Sequence, residues 1–235
     1  MKERIAILTP SRGRPERLLD HWVSFLETVA HPELIHLYIY IDGDDQCLED
    51  YKCLDFPRKD LISMHIGPRT IMSDMVNILY DQSKQEEIIY FGADDLLMRT
   101  EHWDEVIRKG FDRFLDKLVL FFGRDDCESQ HISKEFSSHP VIHRNFVDAV
   151  GYVSPPIFTC DFADTWINDI FKRIGRVEKL PYYNEHVHYR VGKCEIDDTY
   201  KEGFARRTNM PELFVLTDKF RELAARKLQR IINNA

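Results

Sequence analysis

The amino-acid sequence predicts an α/β protein in which a mostly parallel sheet is flanked by helices. In roughly the first half of the chain, short apolar runs alternate with segments whose apolar residues recur at helical spacing. This alternation is typical of parallel strands connected by helices. A cluster of polar residues follows each of the first four apolar runs. Hydrophobic residues form 43% of the 235 residues, which is enough for a sizeable core and argues against disorder.

The first strand is predicted over residues 4–9, because its apolar run stops at Pro10 and a turn that contains Gly13. A helix follows over residues 15–29, where Pro15 suits the first turn. The later elements of this half are predicted in the same way. They are strands over residues 34–41, 61–66, 87–91 and 118–122, a helix with Ile71, Met75, Ile78 and Leu79 on one face, and a helix over residues 101–111. Because ligands bind outside the carboxyl ends of parallel strands, the polar clusters should converge on one crevice.

The second half of the sequence is less regular. Its clearest element is an amphipathic helix over residues 161–174, which Gly175 follows as a C-cap. The remaining predictions are a strand over 140–143, a short helix over 145–150, a loop over 151–156, strands over 177–181 and 185–189, and a long helix over 211–232. Without a clear linker, the chain is expected to form a single domain over residues 1–235.

Charge and cysteine usage narrow the possible functions. The formal net charge of −8 argues against the uniform positive field of a duplex-binding protein and fits a site that holds divalent cations in carboxylates. The five cysteines are irregularly spaced and contain no Cys-x-x-Cys pair, which favours free thiols in a reducing compartment. No apolar stretch is long enough for a membrane span and no signal peptide is visible, so a cytoplasmic protein is expected.

Two pairs of residues are candidate ligands for Mn²⁺ or Mg²⁺. Asp94 and Asp95 follow an apolar strand, and hard cations prefer such carboxylate oxygens. His186 and His188 lie two residues apart on a predicted strand, so both point to one face and can complete the same site. The alternatives are an acidic turn that caps the next helix and a surface histidine pair.

Polar residues after the first two strands are candidates for nucleotide binding. Asp42 follows the second strand, where a carboxylate can accept hydrogen bonds from a base or ribose. Arg12, Arg14 and Arg17 follow the first strand, and arginine suits phosphate recognition. The alternatives are an ordinary Asp/Gly turn and solvated charges at a helix start.

A general base is predicted near the start of the helix over residues 161–174. Asp161 and Asp164 are three residues apart on one helix face, and the helix dipole favours their ionised form. An ionised carboxylate can take the proton of an acceptor hydroxyl. The alternative is that Asp161 caps the helix and Asp164 is a first-turn acid. Asp197 and Asp198 are interpreted as a helix start rather than a site.

An ordered set of short motifs extends from about residue 4 to residue 200. Its members are Ile7-Leu8-Thr9-Pro10-Ser11-Arg12, Ile39-Tyr40-Ile41-Asp42-Gly43-Asp44-Asp45, Asn77, Phe91-Gly92-Ala93-Asp94-Asp95, Ala163-Asp164 with Gly175, and His188 with Gly192-Lys193. The set resembles the glycosyltransferases of the GT-A fold, a Rossmann-like fold. It is most similar to the family 2-like group, which includes small bacterial and phage enzymes. The resemblance implies a nucleotide-sugar-binding half over about residues 1–125 and an acceptor half over about residues 126–235, with a C-terminal helix.

The resemblance also implies roles for individual residues. Thr9, Pro10 and Arg12 border the nucleotide, and Asp42 contacts the base or ribose. Ser11, Arg69 and Asn77 complete the predicted donor-binding set.

The implied metal ligands and base come from the later motifs. Asp94 matches the second acid of the family's Asp-x-Asp element, Asp95 supports it, and His188 is the late metal ligand, with His186 beside it. Asp164 matches the acid of the family's Glu-Asp pair and is the preferred base, ahead of Asp161.

Two positions depart from the family pattern. Gly92 stands where the first acid of Asp-x-Asp is usual, so Asp94, Asp95 and the histidines must supply the metal site. Ala163 stands where Glu is usual beside the base.

The predicted function is metal-dependent, inverting transfer of a sugar from a nucleotide-sugar donor, with a UDP-sugar favoured, to an acceptor hydroxyl. The acceptor is a glycan, a small molecule or a modified DNA base. One alternative is a nucleotidyltransferase, although no Gly-rich, lysine-containing loop follows the first strand. The other is a nucleotide-sugar-binding module whose catalytic centre has decayed.

Overall fold

The computed structural model describes residues 2–127, 136–159, 162–206 and 209–234. These residues form eight strands and nine α-helices. The strands are β1 Ile5–Ser11, β2 Ile35–Asp42, β3 Ile62–Gly67, β4 Ile88–Phe91, β5 Leu96–Met98, β6 Leu120–Asp125, β7 Val141–His143 and β8 Val177–His186. The helices are α1 Pro15–Thr28, α2 Leu48–Cys53, α3 Met72–Gln82, α4 Trp103–Asp112, α5 Arg144–Val150, α6 Ala163–Arg173, α7 Asp198–Arg206, α8 Met210–Leu216 and α9 Asp218–Asn234.

The strands form one mixed sheet in the order β3-β2-β1-β4-β7-β6-β8-β5. Strands β3, β2, β1 and β4 are parallel to one another, and β6 is parallel to β8. Strand β7 is antiparallel to β4 and β6, and β5 is antiparallel to β8. This α/β architecture confirms the predicted fold class, with the parallel part in the first half of the chain.

The core lies on both faces of the sheet, because alternate residues of each strand point to opposite sides. On one face, Ile5 and Ile7 of β1 pack in a cluster with Trp22 of α1 and Trp103 of α4. On the other face, Leu8 of β1 belongs to a cluster that also contains residues of α3, α5, α6 and α9. The strands of the parallel part are therefore apolar on both faces, which explains their continuous apolar runs.

Several elements differ from the sequence prediction. The two strands predicted around Pro181 are the single strand β8. Its register with β6 shifts between Phe122 and Arg124, so Pro181 falls where the ladder is irregular and its missing N–H costs little. The single C-terminal helix is divided into α8 and α9 at Thr217, whose hydroxyl donates to the carbonyl oxygens of Leu213 and Phe214.

Helix α2 and strand β5 are short elements that the apolar pattern does not reveal. The strand predicted over residues 118–122 is β6, which begins at Leu120. None of the described helices combines the length and the apolar character that crossing a bilayer requires.

Candidate active site

The polar residues that follow β1, β2 and β4 meet at the carboxyl edge of the sheet. The hydroxyl of Ser11 donates to Asp94 Oδ2 over 2.7 Å. The guanidinium of Arg12 donates to Asp42 Oδ2 over 3.1 Å and to Asp44 Oδ1 over 2.7 Å. These contacts join three strand ends that lie more than 30 residues apart in the chain, as expected for a crevice in an open parallel sheet.

Asp94 is held by a buried arginine. Arg14 Nη1 donates to Asp94 Oδ1 over 3.1 Å and lies 3.9 Å from Asp95 Oδ2. All three side chains are less than 10% exposed. Burial raises the pKa of Asp94, and the positive charge of Arg14 opposes that rise. The carboxylate of Asp94 is therefore committed to Ser11 and Arg14.

Asp95 turns toward the two histidines. The ligand atoms of Asp95, His186 and His188 lie within 4.8 Å of one another. Asp95 Oδ1 is 3.5 Å from His186 Nε2, and Tyr200 donates its hydroxyl proton to Asp95 Oδ2 over 3.0 Å. Burial alone would raise the pKa of Asp95, but His186 holds it below its usual value. Of the predicted metal ligands, the structure brings these three together.

The two histidines differ in their surroundings. Burial lowers the pKa of His188 to about 4, so its imidazole is neutral and can offer a lone pair near pH 7. His186 is 7% exposed, and its Nδ1 has no hydrogen-bond partner among the described residues. His139 lies beside it, with ring centroids 5.1 Å apart, and His139 Nε2 is likewise buried and unpartnered there. A buried ring nitrogen without a partner is costly unless it serves a ligand.

Two adjoining cavities border this group. The first, of about 340 Å³, is lined by Asp95, His186, His188 and Asp164, among others. The second, of about 240 Å³, is lined by Ser11, Arg12, Asp42 and Asp94, among others. They share the lining residues Pro10, Met72, Ala93, Asp95, Thr199 and Gly203. Most of the candidate donor-binding residues, the candidate metal ligands and Asp164 therefore line these adjoining cavities.

Asp164 lies in the first turn of α6, where the helix dipole favours an ionised carboxylate. Its Oδ1 accepts the backbone N–H of Thr165 over 2.6 Å and the Thr165 hydroxyl over 3.2 Å. Ala163, at the position where the family has Glu, is buried and lines the same cavity. Asp161, the second candidate base, lies outside the described residues.

Three other predicted donor-binding residues occupy different places. Thr9 is fully buried beneath the crevice. Arg69 lies at the crevice edge and pairs with Glu202 over 2.5 Å. Asn77 braces a loop, because its side-chain oxygen accepts the N–H of Ser154 over 3.1 Å and its amide donates to the Ser154 carbonyl over 2.7 Å. Ser154 lines the cavity, whereas Asn77 is not among the lining residues.

The packing around Gly92 explains one departure from the family motif. A Cβ atom at Gly92 would lie 2.1 Å from Thr9 Oγ1 and 3.0 Å from Ile7 Cγ2. An acid at position 92 would therefore require Thr9 to move. The side chain of Thr9 fills the space that the first acid of Asp-x-Asp needs.

Helix α7 closes one side of the crevice, and the sequence does not reveal this role. Asp197 accepts two hydrogen bonds from Arg14, over 2.7 and 2.8 Å, and Tyr200 lies under the Arg14 guanidinium at 4.1 Å. Thr199 donates to the carbonyl oxygen of Arg12 over 2.8 Å. The partners are more than 180 residues apart, so no local spacing signals the contacts. The one visible signal is the acidic pair Asp197-Asp198, which by itself indicates only a helix start.

No known family model matches the chain, and no curated protein matches it. Solved structures of similar fold exist. A mannosyltransferase, PcManGT from Pyrobaculum calidifontis in complex with GDP-Man and Mn²⁺, has a TM-score of 0.61 and 10% identity, covering 88% of this chain and 61% of that chain. S. aureus TarS, residues 1–349, has a TM-score of 0.57 and 10% identity, covering 78% of this chain and 60% of that chain. The chain thus spans about three fifths of the length of these structures, and the similarity shows the predicted GT-A fold.

Proposed function

We propose that this chain transfers a sugar from a nucleotide-sugar donor to an acceptor hydroxyl with the help of a divalent cation. The observation that carries the proposal is the group formed by Asp95, His186 and His188, whose ligand atoms lie within 4.8 Å of one another. The group borders a cavity that Asp164 also lines. It stands at the carboxyl edge of a GT-A sheet, where ligands bind in open α/β folds.

The residues present suit the proposed cation. One carboxylate and two imidazoles form a set that Mn²⁺ accepts, and the remaining positions can take diphosphate oxygens. The lowered pKa of His188 supports this assignment, because a neutral imidazole can bind a cation near pH 7. When bound, the cation neutralises negative charge on the nucleoside diphosphate leaving group. Asp94 is assigned a supporting role, because it holds Arg14 and Ser11.

The smaller cavity is the proposed nucleotide site. Asp42 is 2% exposed and has one side-chain oxygen without a hydrogen-bond partner among the described residues, which suits a donor hydroxyl or amine of the nucleoside. Arg12 and Arg69 lie at the same edge, and their guanidinium groups suit phosphate oxygens. A UDP-sugar remains the proposed donor, and the GDP-Man of PcManGT makes a GDP-sugar the second to test.

The proposed reaction is a single displacement. The acceptor oxygen attacks the anomeric carbon, the bond to the nucleoside diphosphate breaks, and Asp164 takes the hydroxyl proton. Attack from the face opposite the leaving group inverts the anomeric centre. Because Asp164 lines the larger cavity beside Asp95, this cavity is the proposed place for the sugar and the acceptor.

Binding of nucleotide sugars tests the proposal. Calorimetric titration with UDP- and GDP-sugars, each with and without Mn²⁺, should show at least one donor whose binding needs the cation. In Asp95→Asn this dependence should be lost. In Asp198→Asn, which changes an acid of α7 that is 92% exposed, the cation dependence of donor binding should persist. If no donor binds, or if Asp95→Asn leaves the cation dependence unchanged, the proposed site is refuted.

A binding module without catalysis is the second candidate. It is favoured by Asp164, whose Oδ1 already accepts two hydrogen bonds from Thr165. Release of nucleoside diphosphate from the bound donor in the presence of Mn²⁺, followed by phosphorus NMR, separates the two candidates. Slow hydrolysis supports an enzyme, whereas an intact donor after prolonged incubation supports the binding module.

A further inference from the structure

A second group of potential metal ligands lies at the wall of the larger cavity, which Cys127 and His186 line. It consists of Asp125, Cys127 and His186, whose ligand atoms also lie within 4.8 Å of one another. Asp125 is the last residue of β6 and His186 the last of β8. The two strands are parallel, and Asp125 is in register with Asn184, so their ends come together. Cys127 follows two residues after Asp125 and its backbone N–H donates to Asp125 Oδ1 over 2.6 Å.

All three side chains are more than nine-tenths buried, with exposures of 8%, 5% and 7%. His186 Nδ1 is 3.9 Å from Asp125 Oδ1, which is too far for a hydrogen bond, and it has no other partner among the described residues. Two ligands of one tetrahedral cation are separated by roughly 3.3–3.7 Å, since each lies about 2.0–2.3 Å from the ion. The observed 3.9 Å is slightly wider than this separation, so the unpartnered buried nitrogen is the observation that favours a shared ligand over a direct hydrogen bond.

We propose that Asp125, Cys127 and His186 form a second cation site, which takes a thiophilic divalent metal of the Zn²⁺ class. The thiolate ligand distinguishes this site from the group around Asp95, because Mn²⁺ and Mg²⁺ prefer hard oxygen ligands over sulfur. On binding, the thiol of Cys127 releases its proton to solvent and the sulfur forms the bond to the metal. Among the described residues no other cysteine belongs to such a group, and Cys53 lies on the surface at the end of α2.

His186 links the two groups through different ring nitrogens. Its Nδ1 faces Asp125 over 3.9 Å, and its Nε2 faces Asp95 over 3.5 Å. When Nδ1 binds a metal and the crevice holds no cation, the proton on Nε2 can be donated to Asp95, which is the usual arrangement of a carboxylate behind a metal-binding histidine. The thiolate site therefore needs neither His188 nor a bound donor, and it can exist even if the proposed transferase activity does not.

Substitution with Co²⁺ tests the thiolate site directly, because only a cobalt–thiolate bond produces the near-ultraviolet charge-transfer band. Titration of the full chain with Co²⁺ under reducing conditions should produce this band at one equivalent, and Zn²⁺ should abolish it. The band should be absent in Cys127→Ser and should remain in Cys47→Ser, which changes a half-buried thiol beyond β2.

Two further variants separate this site from the one around Asp95. His188→Ala removes a ligand of the crevice group only, so the band should persist. Asp125→Asn keeps the sulfur but should weaken Co²⁺ binding by roughly tenfold or more. Circular dichroism verifies that each variant is folded. If Cys127→Ser does not fold, the Co²⁺ affinity of Asp125→Asn is the deciding measurement. Three outcomes would overturn the proposal. The band could be absent in the unmodified chain, it could be undiminished in folded Cys127→Ser, or Asp125→Asn could bind Co²⁺ with unchanged affinity.

Discussion

Asp164 is the residue whose change most directly tests the proposed chemistry. In Asp164→Asn the side chain keeps its size and its place on the cavity wall but can no longer take the acceptor proton. Transfer should fall by roughly 10²- to 10⁴-fold, whereas the donor should bind with unchanged affinity. Initial rates and calorimetric titration measure the two quantities.

Asp148→Asn is the matched control, because Asp148 is exposed on α5. It should leave both rate and affinity unchanged. Turnover that survives in Asp164→Asn would remove the base assignment and direct attention to Asp161.

At this scale the sequence predicts the kinds of residue in the site but not their pairing. The predicted strand over residues 185–189 is wrong at its end, because β8 stops at His186 and His188 precedes a 3-10 turn over Tyr189–Val191. The two side chains still meet at Asp95. The choice of Asp95 over Asp94 as their neighbour depends on Arg14, which lies 80 residues before Asp94 and binds it. The pairing of the histidines with Asp95 is therefore set by tertiary packing, and residue spacing along the chain does not predict it.

At the scale of elements, His21 joins α1 to the sheet in a way that depends on pH. Its Nδ1 lies 2.7 Å from the carbonyl oxygen of Leu96, which can only accept, so Nδ1 carries the proton and Nε2 accepts from the hydroxyl of Thr9. Burial lowers the pKa of His21 from its usual 6.5 to about 4. The folded protein therefore holds a neutral ring.

Between about pH 6.5 and pH 4 the unfolded chain binds a proton at His21 that the folded chain does not. The free energy of unfolding should thus fall by about 1–2 kcal/mol between pH 7.5 and pH 5 because of this residue alone. Urea titrations at both pH values measure the change. In His21→Asn, stability should be lower at pH 7.5 but should decrease less on acidification; an equally steep decrease would contradict the assignment.

Helix α7 places negative charges where phosphates are proposed to bind. Glu202 lies 2.5 Å from Arg69 Nη2 and 3.3 Å from Arg12 Nε, and its side chain is 42% exposed. A donor diphosphate must compete with Glu202 for these two arginines. In Glu202→Gln the competition is removed, so the Kd of the donor should fall roughly two- to fivefold.

The control is Glu212→Gln, which changes an exposed acid on α8 and should leave the Kd unchanged. Because exposed ion pairs are screened, the difference between Glu202→Gln and the unmodified chain should shrink in high salt. A weaker donor affinity in Glu202→Gln would mean that Glu202 itself contacts the donor.

The elements themselves follow the sequence to different degrees. Strands β1, β2 and β4 are long apolar runs that end at polar turns, so their positions are readily predicted. The full length of strand β8 is not readily predicted. A proline interrupts a strand only where the sheet needs a backbone N–H at that position, and the shifted register of β8 with β6 removes that need at Pro181. The division between α8 and α9 depends on hydrogen bonds made by Thr217, which helical periodicity does not register.

At the scale of the whole molecule, the C-terminal helices pack on the half of the core that carries the proposed base. Helix α6 begins at the crevice with Ala163 and Asp164, and its apolar side shares one cluster with Ala224 and Leu228 of α9. A substitution that weakens the packing of α9 on α6 should therefore also change the position of Asp164 at the crevice.

Arg221 is the polar link in this packing and provides the final test. It is 2% exposed, donates to Asp169 Oδ2 of α6 over 2.7 Å and to the carbonyl oxygen of Phe214 over 2.6 Å, and lies 3.6 Å above the Phe214 ring. In Arg221→Ala the carbonyl of Phe214 loses this donor and α6 loses its tie to α9. The free energy of unfolding should fall by about 2–4 kcal/mol, a range limited by the partial solvation of Asp169.

Arg226→Ala removes an arginine of the same helix whose side chain is 67% exposed and paired with Glu222, so it should change stability by less than about 0.5 kcal/mol. Urea unfolding followed by tryptophan fluorescence compares the two variants. If Arg221→Ala is no less stable than Arg226→Ala, the C-terminal helices are held by apolar packing alone. In that case the position of Asp164 does not depend on the buried arginine.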